Sequence, residues 1–188
     1  TPTREKGGFL GDSAIQSTVA MPVLGERKLT QRALREFLQS MEQHWADPKD
    51  RGRMNAVYPN NDGGRDIPDY TQAYLTWVWN YYLETGDRAF LISAYPRLNE
   101  IGEYVYRHTD PNTGLVTRLT GGSGPYEFGI IDWPPTMRYG YDTTTGARTV
   151  VNGWAYCDYV VLAQIAGELQ RPEDEQRWNI RATAVRSA

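Results

Sequence analysis

One cysteine and two histidines are all that this 188-residue chain offers of the usual redox and soft metal ligands. A single thiol, Cys157, excludes an internal disulfide framework. With His44 and His108 far from it and from each other, no zinc site is expected. Cys157 stands near Trp154, Val160 and Val161 and reads as a buried structural thiol. The histidines fall at the ends of expected helices, where contact with the helix dipole is the common role. No apolar run reaches the roughly 20 residues that cross a bilayer, so no membrane partner is expected. The net charge is only −3, too mild to suggest nucleic acid or an anionic surface. No signal-peptide pattern is visible. With Thr1 first, the chain reads as part of something longer, whose compartment the sequence does not give.

What the chain has in quantity is rings: 13 Tyr and 6 Trp. Such side chains bury an apolar body and keep a polar tip for hydrogen bonding, which suits cores and also sugar sites. The length fits one domain.

Six helices are legible. The first is expected over about 13–21, bent or ended by Pro22 and Gly25. The second spans about 29–45, with Leu34, Phe37, Leu38, Met41 and Trp45 at three/four spacing. The third starts near Asp69, which with Gln72 resembles a capping box, and ends at Gly86. Asp87 caps the fourth, which reaches about His108, with Pro96 expected to kink it. The fifth covers about 153–169. The sixth begins at Pro172, with Glu173, Asp174 and Glu175 complementing its dipole. Between the fourth and fifth lies a long stretch, 109–152, rich in turn residues and rings, with short strands expected at 115–118 and 147–151.

These helices alternate in kind. The first and third have no charged residue over 13–21 and 70–83, and the fifth has only Asp158 and then Glu168. The even ones carry charges along an exposed face. Helices apolar all round are buried, and striped ones lie outside. The expected fold is therefore all-α: three helical hairpins, odd helices inside and even ones outside, forming about half of an (α/α)6 toroid.

In such a ring the odd helices run parallel, so the connections leading into them share one rim. Those connections carry Arg4, Glu5, Phe9 and Asp12; then Asp69 and Tyr70; then Asp132 and Trp133. Each joins carboxylates to a ring. Asp12 and Asp69 also fit plain capping acids, whereas Glu5 and Asp132 lie well before any helix. Gly7, Gly8 and Gly11 around the first set permit a tight backbone and positive φ.

The run Thr-Pro-Thr-Arg-Glu-Lys-Gly-Gly-Phe-Leu-Gly-Asp at residues 1–12 resembles the signature of bacterial α-L-rhamnosidases with an (α/α)6-barrel catalytic domain, and the likeness extends across the chain. The resemblance implies inverting hydrolysis of terminal α-L-rhamnosides, with rhamnose-containing carbohydrate as partner and no cofactor or metal. Glu5 matches the general acid, and Arg4 and Asp12 match residues that hold the sugar hydroxyls. Phe9 stands where the family often has Trp, and Tyr70 and Trp133 fall near rings that pack on the sugar. Asp69 and Asp132 join the candidate sugar-binding set. The family's leading Asp would precede Thr1, and its general base, a Glu far downstream, has no counterpart here. The two carboxyl groups of an inverting pair stand roughly 6.5–9.5 Å apart, with water between one of them and the sugar.

Two other readings stay open: another (α/α)6 sugar enzyme, such as an uronidase, glucosidase or lyase, or a non-catalytic sugar-binding helical module. Half a ring also leaves the flanks of inner helices bare, with Trp77, Trp79 and Val161 expected among the exposed groups. Self-association is the expected consequence.

Overall fold

The computed structural model describes residues 7–60, 63–117, 119 and 146–188. A two-residue strand β1 (Gly8–Phe9) leads into α1 (Leu10–Leu24), followed by α2 (Lys28–His44), β2 (Val57–Tyr58), α3 (Pro68–Thr85), α4 (Arg88–Tyr106), α5 (Thr149–Glu168) and α6 (Pro172–Ser187). The six helices pair as three hairpins. α1, α3 and α5 pack side by side, and α2, α4 and α6 lie behind them.

The turns within the hairpins follow directly from the sequence. Gly25 and Gly86 take the left-handed conformation at φ 65° and 64°, each returning an amide to the helix it ends. Asp87 accepts the Phe90 amide as the cap of α4. The same carboxylate accepts from Gln31 Nε2 at 2.6 Å and from the Tyr81 hydroxyl at 2.9 Å, tying α2 and α3 to α4. Pro172 occupies the first turn of α6, with three acids beside it.

Several helix starts differ from expectation. α1 begins at Leu10, because the extended Phe9 is already its cap; Asp12 lies in the first turn rather than at the cap. α3 is capped by Ile67 without any side-chain bond, with Pro68 opening it. Asp69 therefore lies in the first turn rather than at the cap, and Gln72 turns inward to α5 instead of back to a cap. α5 starts at Thr149, so residues 149–151 of the strand expected at 147–151 are helix. Of the strand expected at 115–118, the described residues 115–117 show a bridge between Val116 and Thr109. α4 runs unbroken through Pro96.

The core lies between α3 and α5 and spreads into the outer layer. Tyr74, Leu75, Trp77 and Val78 of α3 and Ala155, Tyr159, Leu162 and Ile165 of α5 are all buried; Tyr74 donates to the Leu34 carbonyl of α2, and Trp77 meets Phe37 of α2 edge-on. Trp178 of α6 stacks on Tyr159 at 5.7 Å between centroids. A Cβ on Gly102 would strike Leu162 and lie 2.6 Å from Trp178, so a glycine there lets α4 press against this stack.

The inner and outer layers are less distinct than the charge pattern suggests. α4 buries nine residues, as many as α3, because α3, α5 and the 45–58 loop all cover it. α1, by contrast, buries only Leu10, Ser17 and Met21. It packs on α3 along one flank, and Ile15, Val19, Val23 and Leu24 are exposed. Trp77 and Val161 are buried and Trp79 is half-buried, so the exposed apolar stripe belongs to α1 rather than to those residues.

Candidate functional site

The rim is built by the first connection folding onto the one before α3. Gly8 and Phe9 pair antiparallel with Tyr58 and Val57. The ladder continues as the Leu10 amide donates to the Ala56 carbonyl at 2.9 Å and the Ala56 amide donates to the Arg65 carbonyl at 2.7 Å. Phe9 and Tyr70 pack around a small apolar cluster of Ala56, Val57 and Ile67.

Glycine's role here is close approach. Neither Gly8 nor Gly11 uses the positive φ that glycine permits. A Cβ on Gly11 would lie 2.7 Å from the Tyr70 ring, and one on Gly7 would strike Val57. The Gly-Phe-Leu-Gly run is thus the imprint of a strand and a tyrosine ring laid directly on the backbone.

Of the predicted site residues, the structure brings Phe9, Asp12, Asp69 and Tyr70 to the ends of α1 and α3 on this rim. Asp12 is exposed in the first turn of α1, where the helix dipole favours its charge. Asp69 is buried in the first turn of α3, and Tyr70 beside it is half-buried. Arg4, Glu5, Asp132 and Trp133 lie outside the described residues.

A brace beneath the rim, which the sequence reading missed, holds the second connection. Arg53 Nε donates to Asp66 Oδ2 at 2.8 Å; its Nη1 pairs with Asp50, and its guanidinium lies 3.9 Å from the Trp45 ring centroid. Burial works to lower the Arg53 pKa, but Asp66 and Asp50 more than offset it, so Arg53 stays charged. Burial likewise lifts the Asp66 carboxyl above its ordinary range, against the pull of Arg53. Asn55 completes the brace: its Oδ1 accepts from Trp45 Nε1 and the Arg65 amide, and its Nδ2 donates to the Gly63 carbonyl. Nothing in local sequence marks these five residues as a set, because they come together only when the loop closes.

His44 lies in the last turn of α2, as expected, while His108 and the cysteine differ from expectation. His108 Nδ1 donates to the Tyr104 carbonyl at 2.8 Å, near the end of α4, and burial pushes its pKa down. It serves the helix end as a neutral donor rather than as a cation. Cys157 is exposed, not buried. Among the described residues no group of three or more His, Cys, Asp or Glu is placed to hold a metal, and no helix is long and apolar enough to cross a membrane.

Helical hairpins with an acid- and ring-bearing rim place the chain among the (α/α) glycosidase folds. All of residues 1–188 match the model of the bacterial α-L-rhamnosidase six-hairpin glycosidase domain, and the chain belongs to that family. Among solved structures it resembles the GH78 family rhamnosidase of Bacillus sp. GL1 (TM-score 0.75, 20% identity, 96% of this chain and 17% of that one). It also resembles the rhamnosidase from Klebsiella oxytoca with rhamnose bound (TM-score 0.75, 19% identity, 99% and 33%). A third likeness is to the α-L-rhamnosidase from Dictyoglumus thermophilum (TM-score 0.66, 20% identity, 98% and 19%). At these identities the structures speak for the fold, and the chain spans at most 33% of any of the three. No curated protein sequence matches it.

Proposed function

We propose that this chain is the acid-bearing portion, over residues 1–188, of a catalytic domain that hydrolyses terminal α-L-rhamnosides with inversion. Glu5 donates a proton to the leaving oxygen. Arg4 and Asp12 hold sugar hydroxyls, Phe9, Tyr70 and Trp133 line the pocket, and Asp69 and Asp132 belong to the same rim. The general base comes from a Glu outside this chain. The observation that carries the reading is the β1–β2 pairing, which seats the first connection against the Tyr70 connection at the head of the inner helices. Family membership and a neighbour whose structure holds rhamnose support the choice of sugar.

As a general acid, Glu5 must hold its proton near neutral pH, which burial favours and the Arg4 charge opposes. The test is turnover of an aryl α-L-rhamnoside and a panel of other aryl glycosides by the full-length protein. Glu5→Gln is expected to reduce rhamnoside turnover by about 10²–10⁴-fold, and NMR is expected to show the anomer of opposite configuration forming first. Undiminished turnover by Glu5→Gln overturns the assignment of the acid. Preference for another glycoside redirects the substrate, and a first-formed anomer of retained configuration replaces the mechanism.

A further inference from the structure

The core of the α3–α5 seam contains a carboxyl group that the sugar chemistry does not use. Asp158 is fully buried in the middle of α5, and Gln72 of α3, also fully buried, faces it. Gln72 Nε2 lies 3.2 Å from Asp158 Oδ2 and 3.2 Å from the Val151 carbonyl oxygen in the first turn of α5. Both amide hydrogens are thereby used, and these two acceptors fix which end of the amide is nitrogen. Two buried atoms remain without a partner, Gln72 Oε1 and Asp158 Oδ1.

If Asp158 is ionised, both leftover atoms are pure acceptors with no donor, and one carries charge. Burying such groups unsatisfied is costly. A single proton on Oδ1 removes both defects. It supplies the donor that Gln72 Oε1 lacks and removes the charge. The Gln72 amide then meets the acid through two reciprocal hydrogen bonds, with its second N–H kept for Val151. We propose that Asp158 is un-ionised in the folded protein at neutral pH and forms a reciprocal acid–amide clasp with Gln72, a proton-dependent latch that joins α3 to the start of α5.

The surroundings fit a neutral acid. On α5 its neighbours are the exposed Cys157 thiol and the Tyr159 phenol, and from α3 the group facing it is the uncharged Gln72. Arg181 of α6 and Glu103 of α4 act on the Tyr159 phenol. Among the described residues no cation pairs with Asp158. Burial raises its carboxyl well above the ordinary range, and the Gln72 bond opposes this only in part. A carboxyl whose folded-state pKa is raised adds stability that is full below the unfolded value. That stability is lost as pH climbs toward the folded one, by up to tenfold in the folding constant per pH unit.

Asp158→Asn tests this, because its amide supplies the same donor without titrating. Urea unfolding of both proteins across the neutral range is expected to show the wild-type folding constant falling relative to Asp158→Asn, by up to tenfold per pH unit. The variant is expected to be at least as stable as the wild type on the alkaline side. Carbon NMR of the wild type labelled at Asp, with the Asp158 carboxyl assigned through its own backbone, is expected to give the shift of a neutral acid at pH 7. An ionised shift there overturns the proposal, and so does a pH-independent ratio between the two proteins. If Asp158→Asn does not fold, the wild-type shift alone decides.

Discussion

Replacing Arg53 by Met tests whether the brace, rather than the strand pair alone, holds the rim. Methionine keeps the apolar stem but removes the charge. The loss has three parts: the 2.8 Å bond to Asp66, the pair with Asp50, and the guanidinium 3.9 Å from the Trp45 ring centroid. Breaking one side of a buried ion pair costs about 3–5 kcal/mol. A desolvated cation–π contact is worth about 1–2 kcal/mol, partly included in that figure. Against a typical total of about 5–15 kcal/mol, the variant should be marginal but measurable in urea.

The pH dependence sharpens the test. Without Arg53, only burial acts strongly on Asp66, whose side chain is fully buried. Its folded pKa rises further, so Arg53→Met should lose stability as pH rises through the range above the ordinary carboxylate value. Adding Asp66→Asn removes the stranded acid. It should recover about 1–3 kcal/mol at neutral pH and flatten the pH profile. If Arg53→Met costs less than about 1 kcal/mol, or if Asp66→Asn deepens the loss, the brace reasoning fails.

Gly11→Ala puts a methyl against the Tyr70 ring; it should cost about 1–3 kcal/mol by urea unfolding, and Gly11→Ala/Tyr70→Ala together should cost less than the sum. Asp87→Ala removes the α4 cap and the ties to Gln31 and Tyr81 and should cost about 1–3 kcal/mol at pH 7. Burial works to raise the Asp87 pKa, but the Phe90 amide, Tyr81 and Gln31 outweigh it and hold the pKa low. The wild-type advantage over Asp87→Ala should therefore be present above the ordinary carboxylate range and fade as pH falls through the lowered value; an advantage that persists at the acid end refutes this. Self-association, if it runs through the exposed α1 stripe, should weaken in sedimentation on Ile15→Glu/Val19→Glu; an unchanged profile assigns it elsewhere.

The six helices of the described residues, their three hairpins, the two glycine C-caps and the Asp87 cap were legible in the sequence alone, and so was the family. These depend on local rules: three/four spacing, the left-handed freedom of glycine, a carboxylate reaching its own helix's amides. The first-connection motif was legible too, but as a string whose spatial meaning was hidden. Gly11 was legible only as a residue that permits a tight backbone, because no local rule announces that a tyrosine 59 residues on will lie against it.

Only the tertiary structure decided the rest. It shifted three helix starts upstream, where the expected caps, Asp12 and Asp69, became first-turn residues. It turned Gln72 from a capping partner into the mate of Asp158, although the lone acid in an apolar helix was the visible hint. It buried Trp77 and Val161 and bared the apolar stripe of α1 instead. The physical reason is the same throughout. A residue's propensity and period act within a few positions of it, whereas burial, pairing and proton affinity depend on what another segment of chain brings to within a few ångströms.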